Sequence, residues 1–268
     1  MSRVTRYFGY LLIYLSVITC SNDSESPTES DNYNPNGSWS APNFVSDLFE
    51  NKYNPCISGD GKTLYCDSYE GMAGYVIYYS TYNGSEWSQL VQFPISNYQQ
   101  PCISFDGNKM YLSDDWNIYV STKVGGNWSQ PDSILVGRNP SITQDGNTIY
   151  YTKDYQLGYG IFYASFENNH WVEKGGITEV NSLGDVSDPG ISGDGTLLLF
   201  TRSDGYGYKI YYSRKVNNIW QVPQVLGNEI NFTTENYTAC VSWNKMKMYY
   251  STYGSAKSGI YAASWINN

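Results

Sequence analysis

One segment of this chain recurs five times, and the recurrence is cut at an uneven place. Each copy opens on a short apolar run: Pro55-Cys56-Ile57-Ser58, Pro101-Cys102-Ile103-Ser104, Pro140-Ser141-Ile142-Thr143, Pro189-Gly190-Ile191-Ser192 and Ala239-Cys240-Val241-Ser242. A tight turn follows in four copies, at Asp60-Gly61, Asp106-Gly107, Asp145-Gly146 and Asp194-Gly195. Asp-Gly between alternating segments is a strong hairpin signal. The fifth copy carries Asn244-Lys245 there, a weaker turn sequence. A second strand is marked by Tyr65, Tyr111, Tyr150, Leu199 and Tyr249. A third is marked by Ile77, Ile118, Ile161, Ile210 and Ile260. Trp87, Trp128, Trp171 and Trp220 then open a fourth.

The fifth copy stops at Asn267-Asn268, where its own Trp strand should begin. The missing strand is at the other end, because Ser38-Trp39-Ser40-Ala41-Pro42 matches Asn127-Trp128-Ser129-Gln130-Pro131. A closed ring needs this permutation, since closure removes two sheet edges that would invite aggregation. The expected fold is therefore all-β, a five-bladed β-propeller over residues 38–268, its N-terminal strand closing the last blade.

These repeats (Pro-x-Ile-Ser-x-Asp-Gly, an Ile-Tyr strand, then Trp-Ser-x-Pro) resemble the WD40-like propeller repeats of the TolB type over residues 38–268. The resemblance implies the fold and says little of function, since that family includes periplasmic scaffolds, peptidase propellers and uronate-cleaving lyases. Five copies is fewer than the six or seven usual there. Residues recurring in every copy read as scaffold: Asp-Gly pairs as turns, Tyr and Ile as inter-blade filling, Trp as packing.

The N-terminus reads as an address. Arg3 and Arg6 precede an apolar run from Tyr7 to Ile18, too short to span a bilayer and suited to a signal peptide. Its end, Val17-Ile18-Thr19-Cys20, resembles the bacterial lipoprotein signal, with Thr where Gly, Ala or Ser is usual. Residues 1–19 are expected to be a signal peptide and Cys20 the lipidation (palmitate) site. Residues 20–37 are expected to be a disordered tether of Ser, Asn, Asp, Glu and Pro. Plain secretion is the alternative. Asp23 and Glu25 look like the acidic export signal of surface lipoproteins in Bacteroidetes-type bacteria. The expected location is the outer membrane, on its periplasmic or cell-surface side, with the protein a monomer held to the membrane by its lipid.

A formal charge of −9 argues against nucleic acid, whose phosphates need a basic stripe. Cys56, Cys66, Cys102 and Cys240 read as buried small apolar residues, with a Cys56–Cys66 bridge as the alternative. No spacing suits zinc, so no metal is expected, and the sequence assigns no cofactor. The single histidine, His170, falls in a turn between strands three and four and reads as solvated.

If the repeats are scaffold, function lies in what differs between them. The connections from strand two to three, and from strand four to the next strand one, should share one face. They carry Tyr, Trp, amides and a few cations. Asn54, Gln100, Asn139, Asp188 and Thr238 precede the five first strands and should ring the entrance. Flat aromatic faces with side-chain amides suit sugars, and Arg grips a carboxylate in two-pronged fashion. The leading expectation is an enzyme acting on acidic, uronate-containing oligosaccharides by β-elimination, as a lyase or dehydratase. Arg138, Arg202 and Lys153 would bind the carboxylate. Asn54, Gln100, Asn139, Asp188, Trp116 and Tyr237 would bind the sugar. Tyr53, Tyr155 or Tyr208 would transfer the proton, its pKa lowered by a nearby cation. Oligogalacturonate lyases with similar repeats use a His-rich metal site that one His does not supply. Paired carboxylates such as Asp114 and Asp188 would permit glycoside hydrolysis instead. The alternative is a non-catalytic glycan-binding or protein-interaction scaffold.

Overall fold

The computed structural model describes residues 33–156 and 158–267. The expected signal peptide, Cys20 and the tether as far as residue 32 lie outside the described residues.

The chain is nearly all-β. Strands Tyr53–Ile57, Thr63–Tyr69, Tyr75–Thr81 and Val91–Ser96 form the first sheet. The third is Arg138–Ile142, Thr148–Tyr155, Gly158–Glu167 and His170–Gly176. The second, fourth and fifth sheets repeat this order, starting from Gln99–Ile103, Val186–Ile191 and Glu235–Val241. All pairing within a sheet is antiparallel, and one parallel bridge, Tyr208 to Glu235, joins the fourth sheet to the fifth.

The N-terminal strand pairs with the C-terminal one: Ser38 with Ile266, Trp39 with Trp265, then Asn43 with Ala262. Trp128, Trp171 and Trp220 take the same register against Lys123, Phe166 and Lys215. Residues 33–37, read as tether, are docked. Tyr33 stacks on Trp265 with ring centroids 5.1 Å apart, and Trp265 Nε1 donates to the Asn34 carbonyl at 3.0 Å. Side chains this apolar hold a segment that composition alone would leave free.

The core lies between neighbouring sheets. Ile77, Ile118, Ile161, Ile210 and Ile260 are completely buried. Each is worth about 2–3 kcal/mol of apolar burial. Phe49, Ile57, Leu64, Cys66, Tyr249 and Ile260 form one cluster, so the first sheet packs on the fifth. Gly190 stands where other copies carry Cys or Ser, because a Cβ there would meet the Ala239 carbonyl at 1.9 Å.

The turns explain the fifth copy. Asp60 Oδ1 accepts from Ser58 Oγ at 2.6 Å and from the Lys62 N–H at 3.0 Å. Asn244 Oδ1 does the same for Ser242 Oγ and the Met246 N–H, at 2.8 and 3.1 Å. Lys245 takes the glycine's place at φ 61°. The loop geometry thus survives the sequence change.

Candidate functional site

Each first strand contains a bulge, and the bulge builds the site. Asn54, Gln100, Asn139, Asp188 and Thr238 all sit at φ between 51° and 56°, inside the strands rather than in the loops expected from sequence. The pairing register slips just there in every sheet. A left-handed residue before Pro (Ala239 in the fifth copy) turns its own N–H sideways, away from its ladder. That N–H is taken by the neighbouring sheet. Asn54 donates to Ser251 Oγ at 3.0 Å, Asp188 to Thr152 Oγ1 at 3.0 Å, and Thr238 to Thr201 Oγ1 at 3.1 Å. Gln100 donates to Asp67 Oδ2 at 2.6 Å, and Asn139 donates to Gln100 Oε1 at 3.0 Å. Asp67, Ser113, Thr152, Thr201 and Ser251 are all buried and all face the residue before the bulge.

Three residues from each first strand line one small pocket of about 40 Å³, with the five bulge residues among them. Around its mouth the connections from strand two to strand three raise exposed rings: Tyr69, Trp116, Tyr159, Tyr206, Tyr208 and Tyr253. Antiparallel order puts these connections at the same end as the bulges, since strand one starts there and strand two finishes there. Trp116 is 68% exposed and Tyr206 93%. Tyr237 lies 6.5 Å from Tyr53 and 6.1 Å from Tyr208, ring to ring, so three of the expected residues cluster at the mouth.

The cations are a different matter. Strand alternation separates them. Thr152 points at the fourth sheet, so Lys153 points the other way and binds Glu173 at 2.8 Å. Thr201 points at the fifth sheet, so Arg202 points away and donates to the Leu183 carbonyl at 3.0 Å and the Tyr211 hydroxyl at 3.3 Å. Tyr155 packs on Phe162 at 5.8 Å. Arg138 does reach the mouth, paired with Asp154 at 3.1 Å and lying over Tyr159 at 4.6 Å. Arg138, Arg202 and Lys153 are therefore not brought together, and each is already engaged.

The proton-transfer role expected of Tyr53 meets a shift in the wrong direction. Burial, then the neighbouring Tyr253, pushes the Tyr53 hydroxyl up. Burial pushes the Tyr237 hydroxyl up further. A general base needs the opposite shift. His170 is exposed at the edge of the third sheet. Asp114 accepts the Trp116 and Asn117 N–H groups, each at 2.7 Å, and so shapes its hairpin. Cys56, Cys66, Cys102 and Cys240 are free thiols, the first three buried, with no disulfide among the described residues.

Asp67 was not among the expected residues. It is 1% exposed. Asn54 Nδ2 donates to both its oxygens at 2.9 Å. Burial raises its pKa to about 7 despite these bonds and the Gln100 N–H. Gln99 was missed as well; its Nε2 donates to Asp115 at 3.2 Å. Aligning the second strands two residues beyond Tyr65 would have exposed Asp67 as the one acid in a column of Ser and Thr.

By sequence the chain matches no family model and no curated protein. By structure it is similar to a TolB-type protein of Agrobacterium tumefaciens, with TM-score 0.53 and 18% identity over 76% of this chain and 70% of that one. It is also similar to TolB of Acinetobacter baumannii, with TM-score 0.50 and 19% identity over 82% of this chain and 55% of that one. A third likeness is to a xylan β-1,4-xylosidase of Bacillus halodurans, with TM-score 0.58 and 15% identity over 84% and 55%. This chain thus spans about half the length of the last two. Identities this low speak to fold alone, and the fold is a TolB-like β-propeller.

Proposed function

We propose that the chain is a carbohydrate-binding protein, a closed five-bladed propeller that holds glycans across the aromatic mouth of its axial pocket. The observation that carries this reading is the set of exposed rings, at least one from each of the five sheets, at the same end as the bulge residues. Flat rings stack on sugar faces, and nearby amides supply oriented hydrogen bonds. The pairing of Ser38–Trp39 with Trp265–Ile266 and the packing of the first sheet on the fifth support closure. The chemistry of the xylosidase neighbour belongs to that protein, although it keeps carbohydrate in view. Export as a lipoprotein anchored at Cys20 is part of the reading, and radiolabelled palmitate incorporation lost in Cys20→Ser tests that part. The binding test is affinity electrophoresis of the purified domain in neutral, amino and uronate polysaccharides. Retardation that is lost in Trp116→Ala supports the reading; free migration in every gel removes it.

β-Elimination on uronates loses support at three of its expected residues, since Tyr53 is shifted the wrong way and Lys153 and Arg202 face elsewhere. One observation favours a different catalytic reading: Asp67, beside the pocket with a pKa near 7, has the proton affinity of a general acid or base at neutral pH. Reducing ends released from glycans by the native chain, and not by Asp67→Asn, would support it.

A further inference from the structure

Resting on this glycan-binding reading, we infer that the axial pocket is a subsite for one positively charged, hydrogen-bond-donating end group of the ligand, an amino sugar's ammonium, and that it turns uronates away.

The first support is an amide left unused. Asn139 is only 6% exposed, and its backbone N–H is taken by Gln100. Its carboxamide has no hydrogen-bond partner among the described residues, yet it lines the pocket. No described side-chain N or O is both sealed from open space and unpaired, so this carboxamide looks onto the pocket. Leaving such a group unpaired costs about 1–3 kcal/mol, which a bound partner recovers. The Gln100 Nε2 and Thr238 hydroxyl are likewise without a protein partner among the described residues, and both residues line the same pocket.

The second support is charge. Asp188 lines the pocket, and Asp67 bridges two of its lining residues, Asn54 and Gln100. Neither carboxyl has a cation within ion-pair distance among the described residues. Arg138 lies near enough to Asp188 to lower its pKa, but its guanidinium is held by Asp154 and Tyr159. Burial raises both carboxyls against their hydrogen bonds and, at Asp188, against Arg138, so a further cation in the pocket would favour their ionised forms. An ammonium supplies that cation and three donors, whereas a uronate adds a like charge.

The third support is size. The pocket holds about 40 Å³, room for a few water-sized groups and far too little for a sugar ring. It admits an end group and leaves the rest of the glycan to lie over Trp116 and the tyrosines.

Calorimetric titration near pH 7 with three short oligosaccharides of equal length tests this: a glucosamine oligomer, its N-acetylated form, and an oligogalacturonate. The glucosamine oligomer should bind at least about tenfold tighter than the oligogalacturonate, a difference of about 1.4 kcal/mol. Asp67→Asn should shrink that preference, and Asn139→Ala should weaken the glucosamine oligomer most. If the wild type binds oligogalacturonate equally well, or neither axial variant alters the ranking, the inference is wrong. In that case the glycan-binding reading survives, provided Trp116→Ala weakens all three ligands alike. If no oligomer binds, or Trp116→Ala changes nothing, both fall together. Should Asp67→Asn not fold, the wild-type ranking and Asn139→Ala decide.

Discussion

The Gln100 backbone N–H and the Asp67 carboxylate meet across the seam between the first and second sheets, 2.6 Å apart. At three matching seams the acceptor is a neutral hydroxyl from Thr152, Thr201 or Ser251, and at the fourth it is the Gln100 amide oxygen. This one seam therefore titrates.

Its pH dependence follows in sign. The Asp67 carboxyl holds its proton to about pH 7 in the fold, against 3.8 for the free group, because of burial. Stability from this group is full below about pH 4 and is lost as pH rises to about 7, by on the order of 4 kcal/mol at most. Asp188, also raised by burial, adds in the same sense. Thermal unfolding should show Tm falling between pH 4 and 7, and Asp67→Asn should flatten that slope whatever its absolute Tm. An equal slope in the variant would place the effect elsewhere.

Below pH 4 the trend should reverse. The Ser58 hydroxyl and then the Lys62 N–H hold the Asp60 carboxyl below its usual range, so its contribution is present above pH 4 and lost in acid. Asp60→Asn keeps an acceptor for both donors and should make the acid limb of the Tm profile shallower.

Thr238 is the only β-branched residue among the five left-handed bulge positions, at φ 51°. Asn54 and Asn139 occupy the same place in other sheets, and Asn tolerates this region better. Thr238→Asn should stabilise the fold by about 1 kcal/mol, read as a higher urea midpoint at unchanged m-value.

Trp39 meets Trp265 edge-on at 5.0 Å and completes the last sheet. Trp39→Ala should cost about 2–3 kcal/mol, below the range for a fully buried ring because Trp39 is half-buried. Exposing the edge of the last sheet should also bring concentration-dependent light scattering on warming. A variant as stable and as soluble as wild type would argue that the N-terminal strand does not hold the last sheet together.

Cys56, Cys66 and Cys102 are buried, and thiol reactivity follows the exposed thiolate. Burial raises the Cys66 thiol, and hydrogen bonding with neighbouring thiols raises Cys56 and Cys240. A chromogenic disulfide reagent should titrate these four only as the protein unfolds in urea.

The strands, the turns and the partner of Trp39 were legible in the sequence because each depends on a short pattern: alternation along a strand, Asp-Gly at a bend, and Trp-Ser at the start of strand four. The polar ring of Asn54, Gln100, Asn139, Asp188 and Thr238 was legible as positions in the repeat, although not as left-handed bulges. Which cations are free was beyond that reach. Lys153 and Asp154 are adjacent in the chain, yet one faces Glu173 and the other Arg138, because a strand sends neighbours to opposite faces. The burial of Asp67 depends on Asn54 and Gln100 closing over it from two sheets, contacts separated by 13 and 33 residues. Local pattern determined the strands and their order; only assembly decided which side chains share water and which share charge, because solvation and electrostatics are set by neighbours in space.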